Sequence, residues 1–145
     1  MRTCVLLVLV ATLLEGCSSA TMSRGQTAGR DYDGAYEYVY AAVKSVLMGR
    51  GYEIAEEDPD TGKIETNWVE VGGDRTQTKA QITRLEDHWA RVDLEILHDE
   101  KGFLGGDWKP QEVKTSVYED LFDDIDLQVY REYFLKIQRP NPDTK

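Results

Sequence analysis

From residue 33 onward the apolar positions follow first one period and then another. Between Asp33 and Met48, the residues Tyr36, Val39, Tyr40, Val43, Val46 and Leu47 recur at helical spacing and make one stripe. Asp31 or Asp33 stands where an N-cap carboxylate accepts free N–H groups, and Gly49 and Gly51 stand where glycine ends a helix. Period two then takes over. Tyr52–Ala55 reads as a first strand, and the acidic stretch 56–62 as a turn. Lys63–Val71 reads as a second strand with Ile64, Thr66 and Trp68 on one face, and Thr76–Leu85 as a third with Thr78, Ala80 and Ile82 together. Trp89–Leu97 alternates most regularly: Ala90, Val92, Leu94 and Ile96 against Arg91, Asp93 and Glu95. Residues 98–114, with three glycines and Pro110, read as a loop. A second helix follows from Ser116, where Ser116 and Glu119 are spaced as a capping box. Its stripe is Val117, Tyr118, Leu121, Phe122, Ile125 and Val129, with Tyr133 or Phe134 extending it.

The pattern predicts an α+β fold of order α-β-β-β-β-α. It is a two-layer domain whose four-stranded antiparallel sheet is covered on one face by two helices, with the other face polar and open. The expected organisation is a leader over 1–16, a flexible tether over 17–32, the domain over 33–137 and a frayed tail over 138–145. The tether reading rests on composition: Ser, Thr, Gly and Gln predominate and no apolar period is present.

Ahead of the domain, Val5–Leu14 is apolar apart from Thr12, and Arg2 precedes it. Ten residues fall short of the roughly 20 a spanning helix needs and match a signal-peptide core. The run ends in Leu14-Glu15-Gly16-Cys17, followed by Ser18. This resembles a bacterial lipobox, although Glu15 takes a place usually held by a small or apolar residue. The resemblance implies lipidation of Cys17 and cleavage before it. Each buried CH₂ contributes about 0.8 kcal/mol, so two or three chains hold where one is marginal. Ser18 after the cysteine implies the outer membrane, facing the periplasm. The alternative is a plain secretory leader cut after Ser18-Ser19-Ala20, giving a soluble periplasmic or secreted protein.

Charge then narrows the function classes. The net charge is -10, and removal of residues 1–16 takes one Arg and one Glu and leaves it there. An acidic chain without a basic patch repels phosphate backbones, which argues against nucleic acid as a partner. Cys4 and Cys17 are the only cysteines, so the domain carries no disulfide, thiolate metal site or thiol nucleophile.

A second resemblance lies between Leu47 and Trp68. Leu47-x-Gly49-x-Gly51-Tyr52-x-Ile54 followed by Asp58-x-Asp60-Thr61-Gly62-x-Ile64-x-Thr66-x-Trp68 resembles the helix-grip domain of BamC-like outer-membrane assembly lipoproteins. It implies a helix-grip fold and a scaffold role in outer-membrane protein assembly. Here the domain occurs once, where that family has two copies behind a long N-terminal segment.

No catalytic constellation is expected, nor a metal or cofactor. The acidic turn fails the calcium-loop spacing, because counting from Asp58 places Gly62 at position five. Glu119, Asp120, Asp123, Asp124 and Asp126 read as a solvated helix face, and His88 and His98 as surface histidines. Trp68 and Trp89 read as packing residues. Phe103, Leu104 and Trp108, in the glycine-rich loop, either insert into a partner or fold back as a lid over the core. The expected function is a membrane-anchored, non-catalytic envelope lipoprotein binding another envelope protein. The alternative is a carrier of lipid or lipopolysaccharide intermediates, similar to LptE, which the few bases near the open face (Lys79, Arg84, Arg91) serve poorly. A small envelope enzyme is the third class.

Overall fold

The computed structural model describes residues 20–86 and 88–138. In chain order they form β1 (Thr21–Met22), β2 (Ala28–Asp33), α1 (Tyr36–Gly49), β3 (Ile54–Asp58), β4 (Lys63–Thr66), β5 (Val69–Val71), β6 (Asp74–Arg84), β7 (Trp89–Lys101), β8 (Trp108–Gln111), β9 (Val113–Lys114) and α2 (Thr115–Gln138).

β7 is the axis. β6 pairs with it from Asp74↔Glu100 to Arg84↔Ala90. Its other edge is shared by β2, against residues 89–94, and β8, against residues 98–101. β6 is shared in the same way by β4 and β5, and β3 closes on β4. Seven strands thus lie in five lanes, all antiparallel, and β1 and β9 form a separate pair.

The even-numbered residues of β7 from Ala90 to Ile96 face the helices and are buried with Ile64, Ala80 and Ile82 of β4 and β6. α1 adds Val39, Val43 and Leu47, and α2 adds Tyr118, Phe122 and Ile125. The helices are antiparallel. Arg50, just past α1, bonds Asp124 (2.8 Å from Nε) and the Asp120 carbonyl, while Lys136 lies 4.8 Å over the Tyr38 ring near the start of α1. Tyr118 fixes α2 on the sheet: its hydroxyl accepts the Ile96 N–H at 3.1 Å.

The broad α+β architecture is as expected, but the sheet has seven strands, not four. The segment read as a tether supplies one of them. Arg30 of β2 lies 4.8 Å over the Phe122 ring and bonds Asp123 and Asp126 of α2, and Tyr32 beside it is 3% exposed. These tertiary partners order a segment whose composition does not. The described fold therefore includes residues 20–32, ahead of the boundary expected at residue 33. The expected second strand is divided at Asn67–Trp68 into β4 and β5, and the first lies over Ile54–Asp58. The 98–114 loop contains the end of β7, the hairpin to β8, and β9. α1 starts at Tyr36 behind Ala35, with no side-chain cap; Asp31 pairs instead with Arg91 at 2.8 Å. α2 starts at Thr115, whose N–H and hydroxyl both donate to the Ala20 carbonyl at 3.0 Å.

The acidic turn is structural. Asp58 Oδ1 accepts the N–H groups of Asp60 (3.0 Å) and Thr61 (3.3 Å); the Thr61 side chain first, and then these N–H groups, hold its carboxyl below the usual range. Gly62 has φ +81°, and a Cβ there would lie 1.9 Å from the Ile82 carbonyl oxygen, so no other residue fits.

Candidate functional site

Two exposed apolar surfaces stand at opposite ends of β7, which at 13 residues spans about 40 Å. Between them lies a face of ion pairs.

That face is the one opposite the helices. It carries Arg91, Asp93, Glu95, Leu97 and Asp99 of β7, with Arg75 and Lys79 of β6. It is less open than expected, because residues 23–27 fold against it. Gly25 N–H donates to Glu95 at 2.8 Å, and Arg24 pairs with Asp99. Leu97 and Asp99 are 6% and 2% exposed. Arg75 donates to the other Asp99 oxygen from Nε (2.9 Å) and Nη2 (2.7 Å). Its guanidinium carbon lies 4.3 Å from the Trp68 ring centroid and 4.6 Å from that of Trp108. A cation between two aromatic faces, neutralised by a buried carboxylate, is a fastener. It holds β5, β6, β7 and β8 together.

Trp108 therefore belongs to this fastener and is half-buried, apart from the two residues grouped with it by sequence. Phe103 and Leu104 sit at the tip of the β7–β8 hairpin, 94% and 92% exposed. They do not fold back as a lid. The tip is closed by backbone bonds: Gly102 N–H to Asp107 O (3.3 Å) and Gly105 N–H to Gly102 O (3.1 Å). Leu104 has φ +67°, a left-handed conformation uncommon for a branched side chain.

The other surface is the second half of α2. The buried stripe ends at Val129. Beside and beyond it Leu127, Tyr130, Tyr133, Phe134, Leu135 and Ile137 are each more than half exposed. Leu127, Tyr130 and Phe134 form a ridge at i, i+3 and i+7, with the Tyr130 and Phe134 rings stacked at 6.2 Å. Beside it is a groove of about 610 Å³, lined by Tyr38, His88, Tyr130, Tyr133 and Phe134, where α2 overhangs the His88 end of the sheet. This ridge was not anticipated. Its signal was present in the sequence: large apolar residues continue past the stripe on a second face of the helix.

Most of the charged candidates have side-chain partners; Asp120 takes part through its backbone carbonyl, which accepts from Arg50 at 2.8 Å. Glu119, Asp123 and Asp126 converge on Arg30, and Asp124 on Arg50. Burial alone would lower Arg30; the Asp123 and Asp126 hydrogen bonds outweigh it and leave the guanidinium above its ordinary value. Lys79 pairs with Glu65 and Arg91 with Asp31 and Asp93. Arg84 lies on the helix side, paired with Glu37 and 4.5 Å over Tyr36, not on the open face. His88 is exposed, with φ +72°, and His98 is half-buried beside Thr76. Among the described residues no three His, Cys, Asp or Glu side chains are grouped to hold a metal ion. Among those residues also, no helix is long and apolar enough to cross a membrane. Leu14, Glu15, Gly16, Cys17 and Ser18 lie outside the described residues.

No protein-family model and no curated protein matches this sequence. Solved structures match at low identity. A TBP-like protein from Parabacteroides distasonis ATCC 8503 is 12% identical over 72% of this chain and 92% of that one, with a TM-score of 0.49. The adenylate sensor from AMP-activated protein kinase is 16% identical over 70% of this chain and 94% of that one, with a TM-score of 0.45. A DUF4468 family protein from Bacteroides ovatus ATCC 8483 is 13% identical over 82% of this chain and 88% of that one, with a TM-score of 0.34.

Proposed function

We propose that the chain is an outer-membrane lipoprotein, anchored through Cys17 and facing the periplasm, that works as a non-catalytic binding module. Its protein-binding face is the second half of α2. The observation that carries the reading is the run of six large apolar side chains between Leu127 and Ile137, each more than half exposed. A cluster of this kind, rimmed by Arg131, Glu132 and Lys136, has the composition of an interface centre, where aromatic anchors contribute most of the binding energy.

The helix-grip resemblance between Leu47 and Trp68 supports a scaffold role in outer-membrane protein assembly, with the partner a component of that machinery. Pairing of Lys79, Arg84 and Arg91 with carboxylates favours this over a lipopolysaccharide carrier, because an anionic glycolipid would meet neutralised bases.

Photo-crosslinking tests it. A benzophenone amino acid at Tyr130 or Phe134 is expected to capture a barrel-assembly component in the intact envelope, with capture lost on Cys17→Ser. The same probe at Val71, which is 71% exposed at the other end of the molecule, captures none. Equal capture from Val71, or none from Tyr130 and Phe134, would remove the α2 assignment.

A further inference from the structure

We propose that the Phe103–Leu104 hairpin tip inserts into the lipid leaflet that holds the Cys17 acyl chains. The domain is thereby seated on the membrane in one orientation. The inference rests on the lipoprotein reading above and adds to it a second, non-covalent membrane contact.

Ala20 is held by Thr115 at the start of α2. Three peptide links separate it from Cys17, and three residues span at most about 11 Å. A lipidated Cys17 leaves the domain no long leash; some part of it lies against the headgroups.

Thr21 bonds Glu112 at 2.6 Å, next to the end of β8, and Arg24 pairs with Asp99, two residues before Lys101. The segment leading back to Cys17 thus runs beside the β7–β8 end of the sheet. The α2 ridge and the His88 turn are at the other end. The end nearest the anchor is the one that carries the hairpin.

Phe103 and Leu104 are adjacent and almost wholly exposed, and the backbone bonds of Gly102, Gly105 and Asp107 present them on a closed turn. The charged groups around the tip are Lys101, Asp107 and Lys109, with Glu70 4.0 Å from Lys101 and Glu100 opposite Lys109 and Asp74. Residues 101–109 carry two lysines and one aspartate, and the carboxylates of Glu70, Asp74 and Glu100 stand further back from the point on the sheet. Trp108 stands behind the tip between Arg75 and Lys101, where an amphipathic ring suits the headgroup level. Apolar side chains at the point with lysines and tryptophan behind them match a lipid interface in depth order.

The test uses the lipidated chain, purified and reconstituted into vesicles of phosphatidylethanolamine and phosphatidylglycerol. The described residues contain no cysteine, and the Cys17 thiol is blocked by its lipid. Leu104→Cys therefore gives a single site for the environment-sensitive dye NBD. Leu127→Cys, on α2, gives the control. Vesicle flotation reports the anchor separately. The expected result is flotation of both labelled proteins, with a blue shift at 104 and quenching there by nitroxide-labelled acyl chains. The dye at 127 stays in water. Phe103→Ser is expected to diminish the shift at 104 without changing flotation. Flotation with position 104 as aqueous as position 127 overturns the hairpin inference and leaves the anchor intact. A shift at 104 that needs added envelope protein also overturns it, in favour of a protein partner. Failure to float overturns the anchor and this inference with it.

Discussion

Arg24 and Asp99 form an ion pair that binds the N-terminal segment to the sheet face away from the helices. The two ends of the pair are unequal. The Asp99 side chain is 3% exposed and shared with Arg75, whereas the Arg24 side chain is 44% exposed. Removing the carboxylate leaves Arg75 between two tryptophans without its counter-charge. Asp99→Ala is expected to cost about 3 kcal/mol, in the range for breaking a buried pair. Arg24→Ala is expected to cost less than about 1 kcal/mol, because water screens its side and Arg75 still holds the aspartate. Urea midpoints of the two variants check the order, and equal losses would contradict it.

A second pair tests the break between β4 and β5. Thr66 and Thr78 are both fully buried. The Thr66 hydroxyl accepts the Thr78 N–H at 2.9 Å, and the Thr78 hydroxyl has no partner among the described residues. The same substitution is therefore expected to act in opposite directions. Thr66→Val leaves a buried N–H unpaired and destabilises by about 1–2 kcal/mol; Thr78→Val removes an unsatisfied hydroxyl and stabilises by about 1 kcal/mol. Thermal or urea unfolding distinguishes the signs.

Alkaline stability follows from the buried tyrosines. Burial is the main cause that raises Tyr32, Tyr40 and Tyr118 above the ordinary value of 10.0, and Tyr40, also beside Glu57, is pushed up to about 12. The folded state holds these protons more tightly than the unfolded state does. The stabilisation is complete below about pH 10 and is lost as pH rises from there through about 12. Tyr40→Phe is expected to flatten the fall in unfolding midpoint between pH 10 and 12, relative to the parent chain. An unchanged slope would contradict the assignment.

The two faces of α2 give a contrast between folding and binding. Phe122 is 2% exposed, and Phe122→Ala is expected to cost about 3–5 kcal/mol through the cavity it leaves. Tyr130 and Phe134 are 71% and 52% exposed. Tyr130→Ser is expected to change stability by no more than about 0.5 kcal/mol, as for other surface substitutions, while abolishing crosslinks from position 134. A large loss of stability in Tyr130→Ser would make the ridge part of the core.

What was legible in the sequence depended on where each segment finds its partners. β7 was legible because Ala90, Val92, Leu94 and Ile96 bury one face against helices, so burial is written as alternation. α1 was legible for the same reason at period 3.6. β2 was not, because Arg30 occupies an inward position that a pattern of apolar residues would mark as polar. Its place is secured by Phe122 and the carboxylates of α2, ninety residues away in the chain. β8 was hidden by Pro110, tolerated because the strand lies on the edge of β7. Trp108 was grouped with Phe103 and Leu104 by proximity, yet strand alternation and Arg75 draw it onto the sheet. The exposed tip was legible as a candidate; the α2 ridge was absorbed into the helix stripe, because sequence spacing does not reveal where the sheet beneath a helix ends.

The anchor at Cys17 is the claim on which the functional account depends, and the intact mass of the mature protein from its native envelope tests it most directly. The account predicts a chain that begins at Cys17 and carries two or three acyl chains, with the acyl mass absent from Cys17→Ser. An unmodified chain beginning at Thr21, after cleavage behind Ala20, would contradict it and make the protein a soluble one.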